Sequence, residues 1–406
     1  MVPRFDAGVA EGHSPSSSMN GIIHLNNDSR HRIREGHPWI FRSEIGRTEG
    51  EPVDGGTVQI LDAKGKFLGS GIYNSRSQIT VRRYSTKLQE LDRDFLGAAL
   101  DAAFAFRKRL PARPAQRLFW SESDGLPGLI IDRYGDTLVF QSLTKALARL
   151  EPELVALAVE KTGARAVVTR NDVAVRELEG LPREKKTVYG DYRPPTRLQL
   201  LGIDLEVDLL EGQKTGLYLD QLENHETVLA HVKGRRVLDC FCNQGLFALA
   251  ARRAGAASCD ALDQSAEELG RGRAAATRAG LEIGWIEANA FDWLREAERA
   301  RRQYDLIVLD PPSFAKGKDQ MAGAMRGYHE LHLRALKMLP PGGLLASYSC
   351  SHHFSREAWR EMLLDAARDV GARLRLIAPL GQGRDHPVVL HIPETEYLKG
   401  FLVEKL

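Results

Sequence analysis

The pattern of hydrophobic and polar positions changes character twice along the chain. From Gly21 to about Ser85 short alternating runs are separated by turn signals. Gly56 to Leu61 (GTVQIL) and Phe67 to Tyr73 (FLGSGIY) flank Asp62-Ala63-Lys64-Gly65-Lys66, which predicts a hairpin with glycine in its turn. Gln78 to Tyr84 (QITVRRY) alternates as a half-buried strand does. Together these runs predict a small β-barrel over residues 20–88. Asp92 to Leu110 has helical spacing and stops at the Pro111 to Pro114 breaker.

A mixed segment over 89–205 follows, read as α+β. Gly128 to Asp132 and Thr137 to Gln141 pair about Tyr134-Gly135-Asp136, Leu147 to Thr162 is helical, and Ala166 to Thr169 is a further strand. Leu198 to Asp208, with Gly202 in its turn, reads as a closing hairpin. From Val232 onward strands (Val237–Cys240, Ser258–Leu262, Gly284–Glu287, Leu306–Leu309, Leu344–Ser347) alternate with helices (Leu246–Arg253, Ala266–Ala279, Ala324–Met338, Glu357–Val370). Strict alternation predicts an α/β unit over 206–406, a parallel doubly wound sheet with its ligand at the carboxyl ends of the strands.

Length and composition narrow this picture. A chain of 406 residues exceeds one ordinary core and predicts two or three domains. Hydrophobic residues at 43% and charged residues at 27% are ordinary for a globular protein. No apolar run reaches the roughly 18 residues of a membrane-spanning helix. Met1 to Ser18 holds Pro, Gly and Ser without an apolar secretory segment, so a disordered tail is expected over 1–19, with Met19 as an alternative start. Four cysteines without any C-x-x-C make neither a disulfide framework nor a structural zinc site, and no metal is expected. Reduced thiols point to the cytoplasm. A net charge of +2 means that any nucleic-acid contact must come from local patches.

The chemistry sits at the strand ends. Val237-Leu238-Asp239-Cys240 runs into Phe241-Cys242-Asn243-Gln244-Gly245, a tight strand-to-helix turn in which Asn243 and Gly245 tolerate a positive φ. The absence of G-x-G-x-x-G argues against a dinucleotide pyrophosphate there. Asp263 ends the second strand, where a carboxylate can accept both hydroxyls of a ribose. Asn289, after the third, can read an adenine edge. Strand four ends in Asp310-Pro311-Pro312-Ser313-Phe314, a rigid turn tipped by an acid. Each piece alone is also what a cap or a turn would look like; their register at successive strand ends is what selects a site. The chain at this point resembles a class I methyltransferase.

Strand five delivers Ser349-Cys350-Ser351-His352-His353 to the same edge, beside Asp310. Carbon 5 of cytosine is too weak a nucleophile to take a methyl directly. A thiolate adding at C6 makes an enamine whose charge lies at C5, and Asp310 can hydrogen-bond or protonate N3. Cys240, Cys242 and Cys259 read as buried, inert thiols. Cys350 has that alternative too, but its polar flanks favour the nucleophile. His352 and His353 are read either as groups that lower its pKa or contact phosphate, or as plain loop histidines.

The resemblance extends from about Asn20 to Leu406. His37-Pro38-Trp39-Ile40-Phe41, Asp124-Gly125-Leu126-Pro127-Gly128-Leu129, Glu211-Gly212-Gln213-Lys214-Thr215-Gly216 leading to Tyr218-Leu219-Asp220-Gln221, Asp310 to Lys316, Ser349 to His353, and His386-Pro387 with Tyr397-Leu398-Lys399 carry it. In these strings the chain resembles the bacterial 23S rRNA cytosine-C5 methyltransferases. Those enzymes have an N-terminal PUA domain, a central domain and a C-terminal Rossmann-like methyltransferase domain. The resemblance implies S-adenosylmethionine (AdoMet) as cofactor, 23S rRNA (free or in an assembling subunit) as partner, and a homodimer as an open option. It implies Cys350 and Asp310 as catalytic residues. It assigns the cofactor to Asp220, Gln221, Asp239, Phe241, Asn243, Gly245, Asp263, Gln264, Asn289, Ala290, Asp310 and Pro311. It assigns RNA contacts to Arg32, Arg82 and Arg83 in the first module, which as bare sequence read as a solvated face. Lys316, Lys318 and Arg326 after the acidic turn are expected to contact the RNA backbone, because an RNA must cross this edge to present its base.

Two departures stand out. Many RNA cytosine-C5 methyltransferases place a second cysteine right after the proline of the acidic turn to help release product. Here Pro312 and Ser313 stand there, and the base that takes the C5 proton is unassigned. The turn after the first strand reads Asn243-Gln244-Gly245 where relatives often have an aromatic or small residue and Gly, so its contacts are expected through backbone. Two alternatives remain open from sequence. Asp-Pro-Pro-x-Phe also resembles the loop of enzymes that methylate a guanine nitrogen (N2 or N7), and a non-catalytic RNA-binding assembly factor would keep the same fold.

Overall fold

The computed structural model describes residues 19–27, 32–315, 317, 320–351 and 354–406. The tail before residue 19, Lys316, Lys318, His352 and His353 lie outside the described residues.

The first module is a six-stranded sheet of β1 (Gly21–Leu25), β2 (Trp39–Phe41), β3 (Ile45–Gly50), β4 (Thr57–Leu61), β5 (Phe67–Tyr73) and β6 (Ile79–Ser85), in the order β2-β6-β5-β4-β1-β3. Alternate residues Ile23, Leu25, Val58, Ile60 and Val81 close on one core with Ile40. The predicted hairpin forms because Asp62 Oδ1 accepts from the backbone N–H groups of Lys64 (2.8 Å) and Lys66 (2.9 Å), while Gly65 supplies the positive φ.

The middle segment places α1 (Arg93–Arg107), β7 (Ala115–Trp120), β8 (Leu129–Tyr134), β9 (Thr137–Ser142), α2 (Lys145–Thr162), β10 (Ala166–Asn171), α3 (Val175–Leu178) and β11 (Glu184–Tyr189) around a five-stranded sheet, order β11-β10-β9-β8-β7. Leu96, Leu100 and Phe104 of α1 and Leu147, Leu154 and Leu157 of α2 recur at helical spacing and bury against Phe119, Ile131, Phe140 and Val167. The hairpin of β12 (Thr196–Leu200) and β13 (Ile203–Val207) turns at Leu201-Gly202, both with positive φ.

The boundary drawn from sequence at 205/206 cuts through β13. Leu205 and Val207 pack with the helices that follow, α5 (Leu246–Arg253) and α6 (Ala266–Ala279), so the hairpin is the seam between the two halves. Between the hairpin and α5 lie α4 (Leu222–Leu229) and β14 (Arg236–Cys240).

The last unit adds β15 (Ser258–Asp263), β16 (Gly284–Glu287), α7 (Ala290–Arg299), β17 (Leu306–Leu309), α8 (Met321–Met338), β18 (Leu344–Ser349), α9 (Arg356–Asp369), β19 (Leu374–Gly381) and β20 (Lys399–Lys405). Its seven-stranded sheet has the order β16-β15-β14-β17-β18-β20-β19. The first five strands in that order are parallel, as alternation predicts. The sheet is nevertheless mixed: β20 returns antiparallel beside β18, and β19 antiparallel beside β20. Pro379 hides β19 from a pattern search, yet a proline is tolerated because β19 is the sheet edge. The helix α7 is also new relative to the sequence reading, opened by the Asn289 side chain accepting from Phe291 N–H at 3.0 Å.

Candidate active site

Chain order reverses on either side of β14, so the crevice of the sheet opens where β14 and β17 end. The loop leaving β14 alternates left-handed residues, Phe241 (φ +63°), Asn243 (φ +54°) and Gly245 (φ +71°). Gly245 is required on two counts, since a Cβ would also stand 2.7 Å from the Trp285 ring. Asp239 is buried under this loop and accepts from Ala248 N–H in the first turn of α5 at 3.2 Å. Asp263 Oδ2 accepts from Asn243 N–H and Oδ1 from Ser265 N–H, each at 2.9 Å. These bonds fix the carboxylate and leave a lone pair on each oxygen for a ligand.

Asp310 follows β17 directly, and Leu309 is in register with Ser347 of β18. Cys350, just past the end of β18, therefore shares the edge with Asp310 and is half-buried. Gln221 Nε2 donates to Asp310 Oδ2 at 2.7 Å. Burial, with Asp220 adding repulsion, pushes the Asp310 carboxyl up to about 7 against the opposing pull of Lys214 and Gln221. Burial and then the Asp310 charge push the Cys350 thiol up, with Lys214 opposing. Burial also raises Asp220, but Lys214, His386, the Tyr397 hydroxyl and Arg117 outweigh it and hold that carboxyl well below the usual range. Lys214 Nζ stands 3.6 Å from Asp220 and 4.0 Å from the Tyr218 ring centroid.

Two groups to which the sequence reading gave no role hold the loops. Tyr328, buried on α8, accepts at its hydroxyl from Phe314 N–H (2.9 Å), donates to Pro312 O (3.1 Å), and stacks on Phe314. Lys399, buried on β20, donates to Ser351 O at 2.6 Å and so pins the turn carrying Cys350. Tyr328 has no sequence signal beyond a polar group inside an apolar pattern, whereas Lys399 closes the Tyr397-Leu398-Lys399 string that carries the resemblance, without any hint of its partner. The other three cysteines, Cys240, Cys242 and Cys259, are buried, and burial raises each thiol, that of Cys259 to about 12.

Residues 23–86 match the family of PUA-like domains, and residues 170–387 match S-adenosylmethionine-dependent methyltransferases. A ribosomal RNA large subunit methyltransferase I from Tolumonas auensis is 36% identical over 397 residues, covering 96% of this chain and 100% of that protein. The protein of the same name from Shewanella amazonensis is 38% identical over 374 residues, covering 90% and 94%. The chain belongs to the ribosomal RNA large subunit methyltransferase I family. A methyltransferase structure from Streptococcus mutans shares the fold, with a TM-score of 0.80 at 20% identity over 95% of this chain and 100% of the other.

The donor of this methyltransferase family is AdoMet, and the crevice suits it. AdoMet carries a sulfonium and an ammonium, and the crevice gathers the carboxyls of Asp220, Asp239, Asp263 and Asp310, whose charges act on one another. Asp220 Oδ1 is buried and has no hydrogen-bond partner among the described residues, an acceptor left over for a ligand cation. Of the remaining residues assigned to the cofactor, Ala290 and Pro311 are buried, while Gln264 and Asn289 are exposed at the rim. Asn289 spends one lone pair of its oxygen on the α7 cap, and its NH₂ group and the second lone pair are left to meet an adenine.

Two of the three arginines assigned to RNA in the first module are engaged within the protein. Arg82 is 9% exposed and pairs with buried Glu179 at 2.9 Å, joining the first module to the middle one. Arg83 donates to the carbonyls of Ile33, Leu68 and Gly36. Arg82 could reach a phosphate only by giving up its ion pair, while Arg83 is partly exposed and spends three of its five N–H donors on those carbonyls. Arg32 pairs with Glu394 at 2.8 Å and remains partly exposed. Arg326 is exposed on α8 at a groove against α9. Among the described residues no cluster of His, Cys, Asp and Glu is set to hold a metal, and no helix is long and apolar enough to cross a membrane.

The strain of this acid cluster is testable. Burial, reinforced by Asp310 and Asp263, moves Asp239 up to about 8. Between an ordinary carboxyl value and about 8 the native protein keeps a proton that the unfolded chain gives up, so stability falls as pH rises through that window. Asp239→Asn is expected to stabilise the donor-free protein at pH near 8 by about 1–2 kcal/mol while weakening AdoMet binding at least about tenfold. Thermal unfolding and calorimetry check the pair of effects; a fall in Tm at that pH would contradict the charge argument.

Proposed function

We propose that this methyltransferase puts a methyl on C5 of a cytosine in 23S rRNA, through a transient bond between Cys350 and C6. The observation that supports it is the sharing of one sheet edge by the thiol of Cys350 and the carboxyl of Asp310, on neighbouring parallel strands. The relatives named above are ribosomal RNA methyltransferases, and only carbon methylation gives that thiol a task.

The donor supplies an electrophilic methyl carbon. Asp220, Asp239 and Asp263 would hold it at the loop from Phe241 to Gly245, with Asn289 available to its adenine. Cys350 bonds to C6 as thiolate; the C5–C6 π electrons move into the ring as N3 gains a proton from Asp310. The thiol proton passes to the Asp310 carboxylate and from it to N3, so the addition is proton-neutral within the pocket, which suits a raised thiol beside a carboxyl poised near neutrality. C5 then takes the methyl. A base takes the C5 proton, the C–H electrons form the C5–C6 double bond as the C–S bond breaks, and N3 returns its proton to Asp310, which regenerates the ring and releases the thiolate.

The first module, PUA-like, would grip the RNA from one side, with Arg326 and the loop after Phe314 on the other. Four free cysteines support a reducing, cytoplasmic setting, and the exposed Leu376 and Ile377 on β19 support a homodimer, which sedimentation would test. The decisive experiment transfers labelled methyl from AdoMet to rRNA and separates the nucleosides. Label in 5-methylcytidine is expected; label in a methylguanosine would replace this reading with nitrogen chemistry on the Asp310 loop.

A further inference from the structure

A line of amides runs from the end of β19 to Asp310. Gly381 N–H donates to Asn224 Oδ1 (3.1 Å), Asn224 Nδ2 to Gln221 Oε1 (2.6 Å), and Gln221 Nε2 to Asp310 Oδ2 (2.7 Å). Asn224 and Gln221 are 4% and 3% exposed, so water does not compete for these bonds. The direction is fixed by the two ends. A backbone N–H can only donate and a carboxylate can only accept, so both amides must point the same way. A proton on Oδ2 would meet the Gln221 NH₂ group donor to donor. Among the described residues no hydrogen bond reaches Oδ1.

We propose that Asn224 is a positioning residue: through Gln221 it reserves Oδ2 of Asp310 as an acceptor, so that the proton exchanged with the base is carried on Oδ1. The inference rests on the reading of Asp310 as the group that serves N3. Donation from Gln221 also favours the ionised carboxyl and opposes the burial that raises it. The other charged and titratable groups facing Asp310 are Asp220 before α4, Lys214 and Tyr218 in the loop after β13, Asp239 on β14, and Tyr348 and Cys350 from β18.

Two variants of the full chain test the relay. Asn224→Leu removes the lock without adding charge. Asn224→Asp keeps the acceptor for Gly381 but can only accept from Gln221, which turns the amide round and presents its oxygen to Asp310. Both should raise the protonation midpoint of Asp310, by about one pH unit for the leucine variant and by more for the aspartate variant. The midpoint is read by difference infrared spectroscopy against Asp310→Asn, without RNA or donor. Single-turnover methyl transfer should fall about tenfold in Asn224→Leu, with AdoMet affinity within about twofold of native. An unmoved midpoint in either folded variant overturns the relay. Because that titration involves no RNA, it is independent of the covalent reading: a native protein that forms no adduct with cytosine analogues would remove the latter and leave the midpoint shift standing.

Discussion

Replacing Cys350 with alanine is expected to lower methyl transfer to RNA by about 10³-fold or more, and to abolish a covalent complex that the native protein forms with RNA containing 5-fluorocytosine. Fluorine at C5 cannot leave as a proton does. Once Cys350 has added to C6 and C5 has been methylated, the sulfur has no route out, and protein and RNA run together on a denaturing gel. The pH dependence has a definite sign. Addition uses one proton shared by the thiol and the carboxyl, so the rate of complex formation should rise as pH passes through about 7, where Asp310 becomes able to take the thiol proton. It should level off above that pH while the thiol, held above its ordinary value by burial and the Asp310 charge, keeps that proton. Folding is not at issue, because the side chain is half-buried in a polar turn pinned from below by Lys399. A Cys350→Ala protein with native turnover would end the covalent scheme and leave Asp310 as the amine-holding acid of the competing reading.

That the site could be read from the chain at all has a physical reason. In a parallel sheet each strand is an apolar run, and its carboxyl end is marked by the first polar residue after it. Asp263, Asp310 and Cys350 stand at such punctuation, so register across the sheet follows once the strands are recognised. What period cannot convey is the partner of a polar side chain. Arg82 and Arg83 lie on an alternating strand and look like surface charges, yet Arg82 meets Glu179 from the next module and Arg83 is absorbed by three carbonyls. Tyr328 looks like one more core aromatic of α8, although its hydroxyl holds both sides of the turn after Asp310. Asn224 and Gly381 are far apart in the chain and only the return of β19 to the sheet edge brings them together. The antiparallel end of the sheet escaped for the same reason: β20 is apolar but follows no helix, so alternation gives no warning of it.

A buried carboxylate of the middle domain helps hold the loop that reaches the active site, and Asp132→Ala is expected to destabilise the protein by about 3–5 kcal/mol. Asp132, fully buried on β8, takes a bidentate pair from Arg117 on β7 at 2.7 and 2.8 Å. Its Oδ2 also accepts from Thr215 Oγ1 at 2.7 Å, while the neighbouring Tyr134 hydroxyl accepts from Leu217 N–H at 3.1 Å. Thr215 and Leu217 belong to the loop carrying Lys214, Tyr218 and Asp220, so the middle sheet clamps the segment that supplies the cation and one of the acids at the crevice. Removing Asp132 leaves the Arg117 guanidinium buried without its counter-charge, which is why the cost exceeds that of a surface pair. Thr215→Val separates the two roles. It keeps the Arg117–Asp132 pair, so it should cost only about 1 kcal/mol of stability, yet it frees the loop and should lower methyl transfer about tenfold. Denaturant unfolding and single-turnover kinetics on the two variants check this together. If Thr215→Val loses stability as Asp132→Ala does but transfers methyl at the native rate, the clamp serves the fold alone and the middle domain has no hand in placing Lys214 and Asp220.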